Sequence, residues 1–306
     1  MMKIGLIDVD GHNFPNLALM KISAFHKVHG DVVEWVNYFE HYDKVYMSKV
    51  FTFSPDVLTC IQSDEIIKGG TGYSATIKLP SLSYEKIQPD YSLYPNFKYA
   101  LGFLTRGCIR NCPWCIVPQK EGKIRPDNYI EEITGFHPKR PIILLDNNVL
   151  ASDFGLNEIE KIIKLGCRVD FNQGLDARLV TDEIAKLLSK VKWIRYIRFA
   201  YDTKQQFRPL FHAIGLLNKY GIKNENIFVY CLLNELEDSY NRINEVKRAG
   251  MNPYAQPYRD FTRNQIIPQW QIDMRDWCNR KVFLKTCDFK DYSPRKGFKC
   301  SEYFIK

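Results

Sequence analysis

Tyr99-Ala100-Leu101-Gly102-Phe103-Leu104 runs directly into Thr105-Arg106-Gly107-Cys108-Ile109-Arg110-Asn111-Cys112-Pro113-Trp114-Cys115. The apolar stretch 99–104 reads as a buried strand. The segment behind it carries a C-x3-C-x2-C spacing with an aromatic just before the last cysteine. Three thiolates in eight residues are placed to wrap one face of a cubic iron–sulfur cluster. Such clusters are held by cysteine thiolates, four as a rule, so a set of three leaves one iron open to a small molecule. Two blander readings stand beside this one. Structural zinc takes four ligands, often as paired C-x2-4-C knuckles; Cys112–Cys115 is such a knuckle, but the nearest later cysteine is Cys167. A disulfide framework ill suits a chain with an odd count of nine cysteines.

Outward from the loop, strand and helix patterns alternate. Downstream come a helix near 127–135, strand 141–146, helix 155–166, strand 168–172, helix 181–190 and strand 194–200, then helix 204–220, strand 226–232, helix 236–249 and strand 252–257. That is about six β/α units, the pattern of a parallel sheet wrapped by helices. Upstream, 73–98 is rich in Pro, Ser, Tyr and Lys and reads as a linker. Before it, strand 3–9, a helix from Phe14 to Val28, and strands Val32–Val36, Lys44–Val50 and Glu65–Lys68 imply a small doubly wound sheet. The expected divisions are 1–72, a linker 73–98, 99–260, and an extension 261–306 that packs on what precedes it.

At 306 residues and 45% hydrophobic content, the chain has the make-up of a globular protein with a full core. No apolar run approaches the roughly 18 residues of a membrane span. Polar residues interrupt the opening Met-Met-Lys-Ile-Gly-Leu-Ile-Asp too early for a secretory leader, so a cytoplasmic, reducing location is expected. The net charge of +8 admits an anionic substrate such as nucleic acid. Its cations are dispersed among acids, which favours a solvated, mildly basic surface.

The cysteine spacing and Trp114 resemble the cluster loop of the radical S-adenosylmethionine (radical SAM) superfamily. The resemblance implies a [4Fe–4S] cluster on Cys108, Cys112 and Cys115, S-adenosylmethionine (SAM) chelated by the open iron, and Trp114 near its adenine. It further implies a one-electron donor such as flavodoxin or ferredoxin, and reductive cleavage of SAM to methionine and a 5′-deoxyadenosyl radical. It implies an α/β fold, with a small N-terminal Rossmann-like doubly wound domain followed by a partial (β/α)6 radical SAM barrel. SAM is held in such barrels by residues at the strand ends. Asp146 takes the place of the family's usual Gly-Gly-Glu element, as an acceptor for the SAM ammonium or as an Asx-turn cap. Gln173, Asp176 and Arg178 are candidates for the ribose and carboxylate, or Asp176–Arg178 is a structural pair. Asp202 binds ribose or substrate, or caps the helix near Lys204. Arg198, mid-strand, needs a partner such as Asp202 or a bound carboxylate.

The N-terminal segment resembles cobalamin-binding domains that precede many radical SAM barrels. Asp10-Gly11-His12-Asn13-Phe14-Pro15 matches the Asp and His of the family's Asp-x-His-x-x-Gly mark but has Pro15 in place of Gly. Ser48-Lys49-Val50 and Gly69-Gly70 fall near the expected nucleotide-tail contacts. A span of about 70 residues is short for enclosing so large a cofactor, so bound cobalamin is not favoured, and His12→Ala is expected to leave SAM cleavage nearly unchanged. Cys278, Cys287 and Cys300, spaced x8 and x12, lack a compact pair for a second cluster. Cys60, Cys167 and Cys231 read as small core residues. The alternatives are a cobalamin-dependent methylase or methylthiotransferase acting on RNA or a small metabolite, and a non-catalytic, metal-bearing nucleic-acid-binding module.

Overall fold

The computed structural model describes residues 1–11, 14–79, 81–135, 140–260 and 266–305. It is a mixed α/β protein whose main sheets are parallel. His12 and the start of the expected extension at residue 261 lie outside the described residues.

The N-terminal strands are β1 (Lys3–Asp8), β2 (Val32–Trp35), β3 (His41–Ser48) and β4 (Gln62–Gly69), joined in the order β2-β1-β3-β4 and all parallel. β1 is central, and its nearly continuous apolar run is buried on both faces, as the middle of a parallel sheet requires. Helix α1 (Leu17–Val28) crosses from β1 to β2. Asn16 caps it by accepting the Leu19 N–H at 3.3 Å, and the turn behind it uses Gly30 at φ 83°.

This sheet is not wound with helices on both faces, as the sequence led us to expect. The return from β2 to β3 spans only residues 36–40, too few for a helix, and it crosses directly over β1. Gly5 permits the crossing, since a Cβ there would lie 2.6 Å from Val36 and 3.0 Å from Val45. Residues 49–61 and Tyr73 cover that face around Ile7, Tyr42, Val45 and Met47. The other face carries α1 and, against it, the short α2 (Leu82–Lys86), where Tyr84 stacks on Phe25. Residues 73–98 therefore hold some structure, rather than being bare linker.

Past Tyr99 the strands are β5 (Ala100–Gly102), the antiparallel pair β6 (Thr105–Arg106) and β7 (Arg125–Pro126), and then β8 (Ile142–Leu144), β9 (Arg168–Phe171), β10 (Lys192–Trp193), β11 (Ile197–Ala200), β12 (Ile227–Leu233) and β13 (Asn252–Pro257). Two parallel sheets result, β10-β9-β8-β5 and β11-β12-β13. A parallel bridge between Leu175 and Phe199 links their neighbouring edges, with the Leu175 N–H donating to Arg198 O at 2.7 Å. The expected strand 194–200 is shortened to Ile197–Ala200. The two residues of β10 before it pair with β9, Ile194 bonds back to Val169 at 2.9 Å, and the chain then passes to the other sheet.

Short α3 (Val117–Lys120) lies in the cysteine segment, and α4 (Ile130–Thr134), α5 (Asp153–Leu165), α6 (Asp182–Leu188), α7 (Phe207–Lys219) and α8 (Leu236–Arg248) follow. The longer helices bury one apolar stripe each, at three- and four-residue spacing: Ile159 and Ile162 on α5, Leu210, Ala213, Ile214 and Leu217 on α7, Ile243 and Val246 on α8.

The described C-terminal residues pack on this part of the molecule through α9 (Gln269–Asn279) and α10 (Lys281–Thr286). Trp277, Cys278, Phe289 and Cys300 join the main core, and Cys287 is half-buried. Asn279 covers the β13 edge: its Oδ1 accepts the Ala255 N–H at 2.8 Å and its Nδ2 donates to Ala255 O at 3.0 Å. We expect Asn279→Ala to lower stability by about 1–2 kcal/mol in urea unfolding, the net worth of two such bonds. Cys167 and Cys231 are buried, but Cys60 is exposed in the loop before β4 and is not a core residue. Among the described residues, no helix is long and apolar enough to cross a membrane.

Candidate functional site

The carboxyl ends of the strands converge on one cavity of about 1100 Å³. Asp8, Ser48 and Gly69, the last residues of β1, β3 and β4, line one side. Asn147, Asn172, Ala200 and Leu232, at or just past the ends of β8, β9, β11 and β12, line the other. Parallel α/β folds place ligand sites at this end of their strands. Cys108, Cys112, Cys115 and Trp114 line the same space.

The cysteine segment is held from several sides. Gly107 has φ +81°, and a Cβ there would lie 2.3 Å from Lys123 O, so glycine is required where the segment meets its own return. Glu121 accepts from the Gly107 N–H at 3.0 Å, Arg106 Nη1 at 3.0 Å and Asn147 Nδ2 at 2.9 Å. Asp146 fixes the start of the segment, and its carboxylate accepts the N–H groups of Leu104 (3.1 Å) and Thr105 (2.6 Å) and the Thr105 hydroxyl (2.7 Å). It is 1% exposed. Burial pushes its pKa up to about 6, against the pull of those three donors.

Asp146 is thus turned away from the expected SAM ammonium and does not line the cavity; nor does it cap α5, whose cap is Ser152. Asn148 is the residue that sequence reasoning passed over. It lines the cavity, is 2% exposed, and has its Oδ1 buried without a hydrogen-bond partner among the described residues. Its Nδ2 donates to Cys108 Sγ at 3.4 Å and to Asp176 at 3.3 Å.

Asp176 and Arg178 form the structural pair that was one of their two readings, with Arg178 Nε and Nη2 donating at 2.6 and 3.1 Å. Asp176 also accepts from Arg110 Nε of the cysteine segment at 2.9 Å. Burial opposes its ionisation, but the two guanidinium groups outweigh that and hold its carboxyl below the usual range. Arg178 also lies beside the Cys112 sulfur, and the two act on each other electrostatically. Burial raises the Cys112 thiol, and the Arg178 charge partly offsets it. The Arg110 N–H donates to Cys108 Sγ at 3.3 Å. Cys108 Sγ therefore receives two N–H donors, from Arg110 and Asn148, an arrangement that tunes thiolate ligands in iron–sulfur sites.

Gln173 lines the cavity and is exposed toward it. Asp202 is not the helix cap; Thr203 and Gln206 form that box, and Gln206 Oε1 accepts the Asp202 N–H. Burial raises the pKa of the Asp202 side chain, and the Arg242 charge and the neighbouring Trp114 indole partly offset it. Arg198 is paired bidentately with Asp170 at 2.6 and 2.7 Å, not with Asp202.

Among the described residues, no three His, Cys, Asp or Glu side chains are gathered around one point that a single metal ion would occupy. Donors to one zinc must all lie about 2.3 Å from it, whereas a cubic cluster spreads its thiolates over different irons. The donor set fits the cluster in chemistry: three thiols on one cavity, with two N–H donors on Cys108 and an amide oxygen beside it that has no partner among the described residues. No protein-family model matches the chain, and no curated protein is similar to it.

Proposed function

We propose that this protein is a radical SAM-type enzyme. Bound at Cys108, Cys112 and Cys115, a [4Fe–4S] cluster would supply the electron, itself drawn from a flavodoxin- or ferredoxin-type donor, that cleaves SAM reductively to a 5′-deoxyadenosyl radical. The observation that carries this reading is the convergence of all three thiols on the cavity at the carboxyl ends of the parallel strands. In this reading β5, β8, β9, β11, β12 and β13, joined at Leu175–Phe199, are the six strands of one open (β/α) barrel with the two-residue β10 beside β9, and the order β2-β1-β3-β4 is a truncated Rossmann-like domain with its helices on one face.

The chain's own groups divide the remaining work. Asn148 Oδ1 is the acceptor for the SAM ammonium, which gives a partner to a buried polar atom that otherwise has none among the described residues. Arg178 and Arg110, braced by Asp176, hold positive charge beside the thiols and face the SAM carboxylate. Trp114, beside Asp202, offers a flat apolar surface for the adenine, and Gln173 is placed for the ribose. We expect Asn148→Leu to weaken SAM binding about tenfold, or ~1.4 kcal/mol, in equilibrium dialysis with iron content unchanged.

The corrinoid alternative has one observation in its favour, the reach of the cavity onto Asp8, Ser48 and Gly69. Its sequence marks have other uses. Asp10 accepts from the Val50 N–H and the Ser54 hydroxyl. Gly70, at φ +89°, lets the chain pass against Lys49, whose carbonyl oxygen a Cβ would meet at 2.4 Å. Metal analysis after anaerobic reconstitution tests the proposal against the binding-module alternative: about four irons and four sulfides per chain are expected, and one tightly held zinc instead would overturn it.

A further inference from the structure

A group of cations at the seam between the N-terminal sheet and the cysteine segment belongs to neither thiol network. Lys21 on α1, Arg106 in β6 and Lys120 at the end of α3 all line the cavity. Burial lowers the basicity of both lysines; Asp127 near Lys21 and Glu121 near Lys120 oppose it, and the Arg106 charge adds to it at each. Arg106 is already occupied, by Glu121 at 3.0 Å and Asp127 at 3.3 Å. Lys21 is 8% exposed, and among the described residues its ammonium donates only to the neutral Glu85 carbonyl. The carboxylates within electrostatic reach of it are Asp127, Glu85 and Glu132, and none is bonded to it. Lys120 is half-buried and makes no side-chain hydrogen bond or ion pair among the described residues.

Sequestering an ammonium without a carboxylate bonded to it costs free energy that an ion pair recovers. Two such lysines facing one cavity call for an anion in it. With the Arg106 fork engaged, planar bidentate recognition of a carboxylate is not on offer, whereas lysine binds phosphate as a point charge. A cavity of about 1100 Å³ lined by α1 and the cysteine segment has room for a compact phosphate ester.

We propose that Lys21 and Lys120 bind the phosphate group of a small phosphorylated molecule in this seam. That the molecule is the substrate rests on the radical SAM reading; that the seam binds phosphate does not.

The test is calorimetric titration of the full chain, reconstituted with iron and sulfide, with inorganic phosphate, acetate and a short single-stranded RNA as probes. Phosphate is expected to bind saturably. Lys120→Gln and Lys21→Gln should each weaken it at least tenfold, with acetate and RNA much weaker. Lys285→Gln, exposed on α10, should leave binding unchanged. Absence of saturable phosphate binding, equal weakening by Lys285→Gln, or preferential acetate or RNA binding would overturn the proposal. Thermal melting and iron content of the same samples keep it separate from the cluster claim: intact iron with no phosphate binding refutes the seam alone, and phosphate binding without iron refutes the cluster alone. Should Lys21→Gln fail to fold, Lys120→Gln with Lys120→Arg as the charge-retaining control decides, since binding must survive the second and not the first.

Discussion

Replacing any one of Cys108, Cys112 or Cys115 by Ala is expected to abolish the iron–sulfur chromophore and leave less than about one iron per chain, because two thiolates cannot hold a cubic cluster. The same change at Cys278, Cys287 or Cys300 should leave about four irons. The contrast follows from placement. The first three thiols face the cavity, whereas Cys278 and Cys300 sit in the apolar core, where burial pushes their thiols up, that of Cys300 to about 12. Thiols packed in that setting serve as small core residues. A C-terminal replacement that halves the iron would mean that a second cluster exists.

The second large effect is expected at Asp146. Asp146→Ala strips the partners from two backbone N–H groups and a hydroxyl in the buried start of the cysteine segment. Each orphaned donor costs about 1–2 kcal/mol, so a loss of roughly 3–5 kcal/mol in urea unfolding near pH 7 is expected, together with poor cluster retention. Burial also gives this carboxyl a folded pKa of about 6, above its ordinary 3.8. The folded state therefore binds the proton more tightly than the unfolded chain. The resulting stability is fully present below about pH 4 and is lost as pH rises through about 6, by up to ~3 kcal/mol. Asp146→Asn should flatten that dependence. A parallel decline in the variant would assign it to other groups.

The parts of this site that sequence reveals are the local ones. The C-x3-C-x2-C spacing and the apolar periods of α5, α7 and α8 lie within a few residues of each other, so the pattern carries the geometry. What it missed depends on register between distant segments. Asp146 stands at the strand end as read, but its side chain answers Leu104 and Thr105, more than 40 residues earlier. That turns Asn148 toward the thiols in its place. Arg198 meets Asp170 rather than Asp202 because the β9–β11 alignment, which no pattern within either strand encodes, sets the two side chains opposite. Glu121 and Lys120 fall in a stretch without periodicity, and their roles emerge only where the segment folds back against Gly107 and α1. The one-sided N-terminal sheet was legible in principle, since residues 36–40 are too few for a helical return.

The central claim, that three thiols serve a SAM-cleaving cluster, is tested most directly by anaerobic incubation of the reconstituted, dithionite-reduced protein with SAM and quantification of 5′-deoxyadenosine. Wild-type protein should release it without added cobalamin in an amount that grows with time, and Cys112→Ala should release none. A wild-type chain that carries about four irons yet forms no 5′-deoxyadenosine, or a Cys112→Ala chain that forms as much as wild type, would contradict the account.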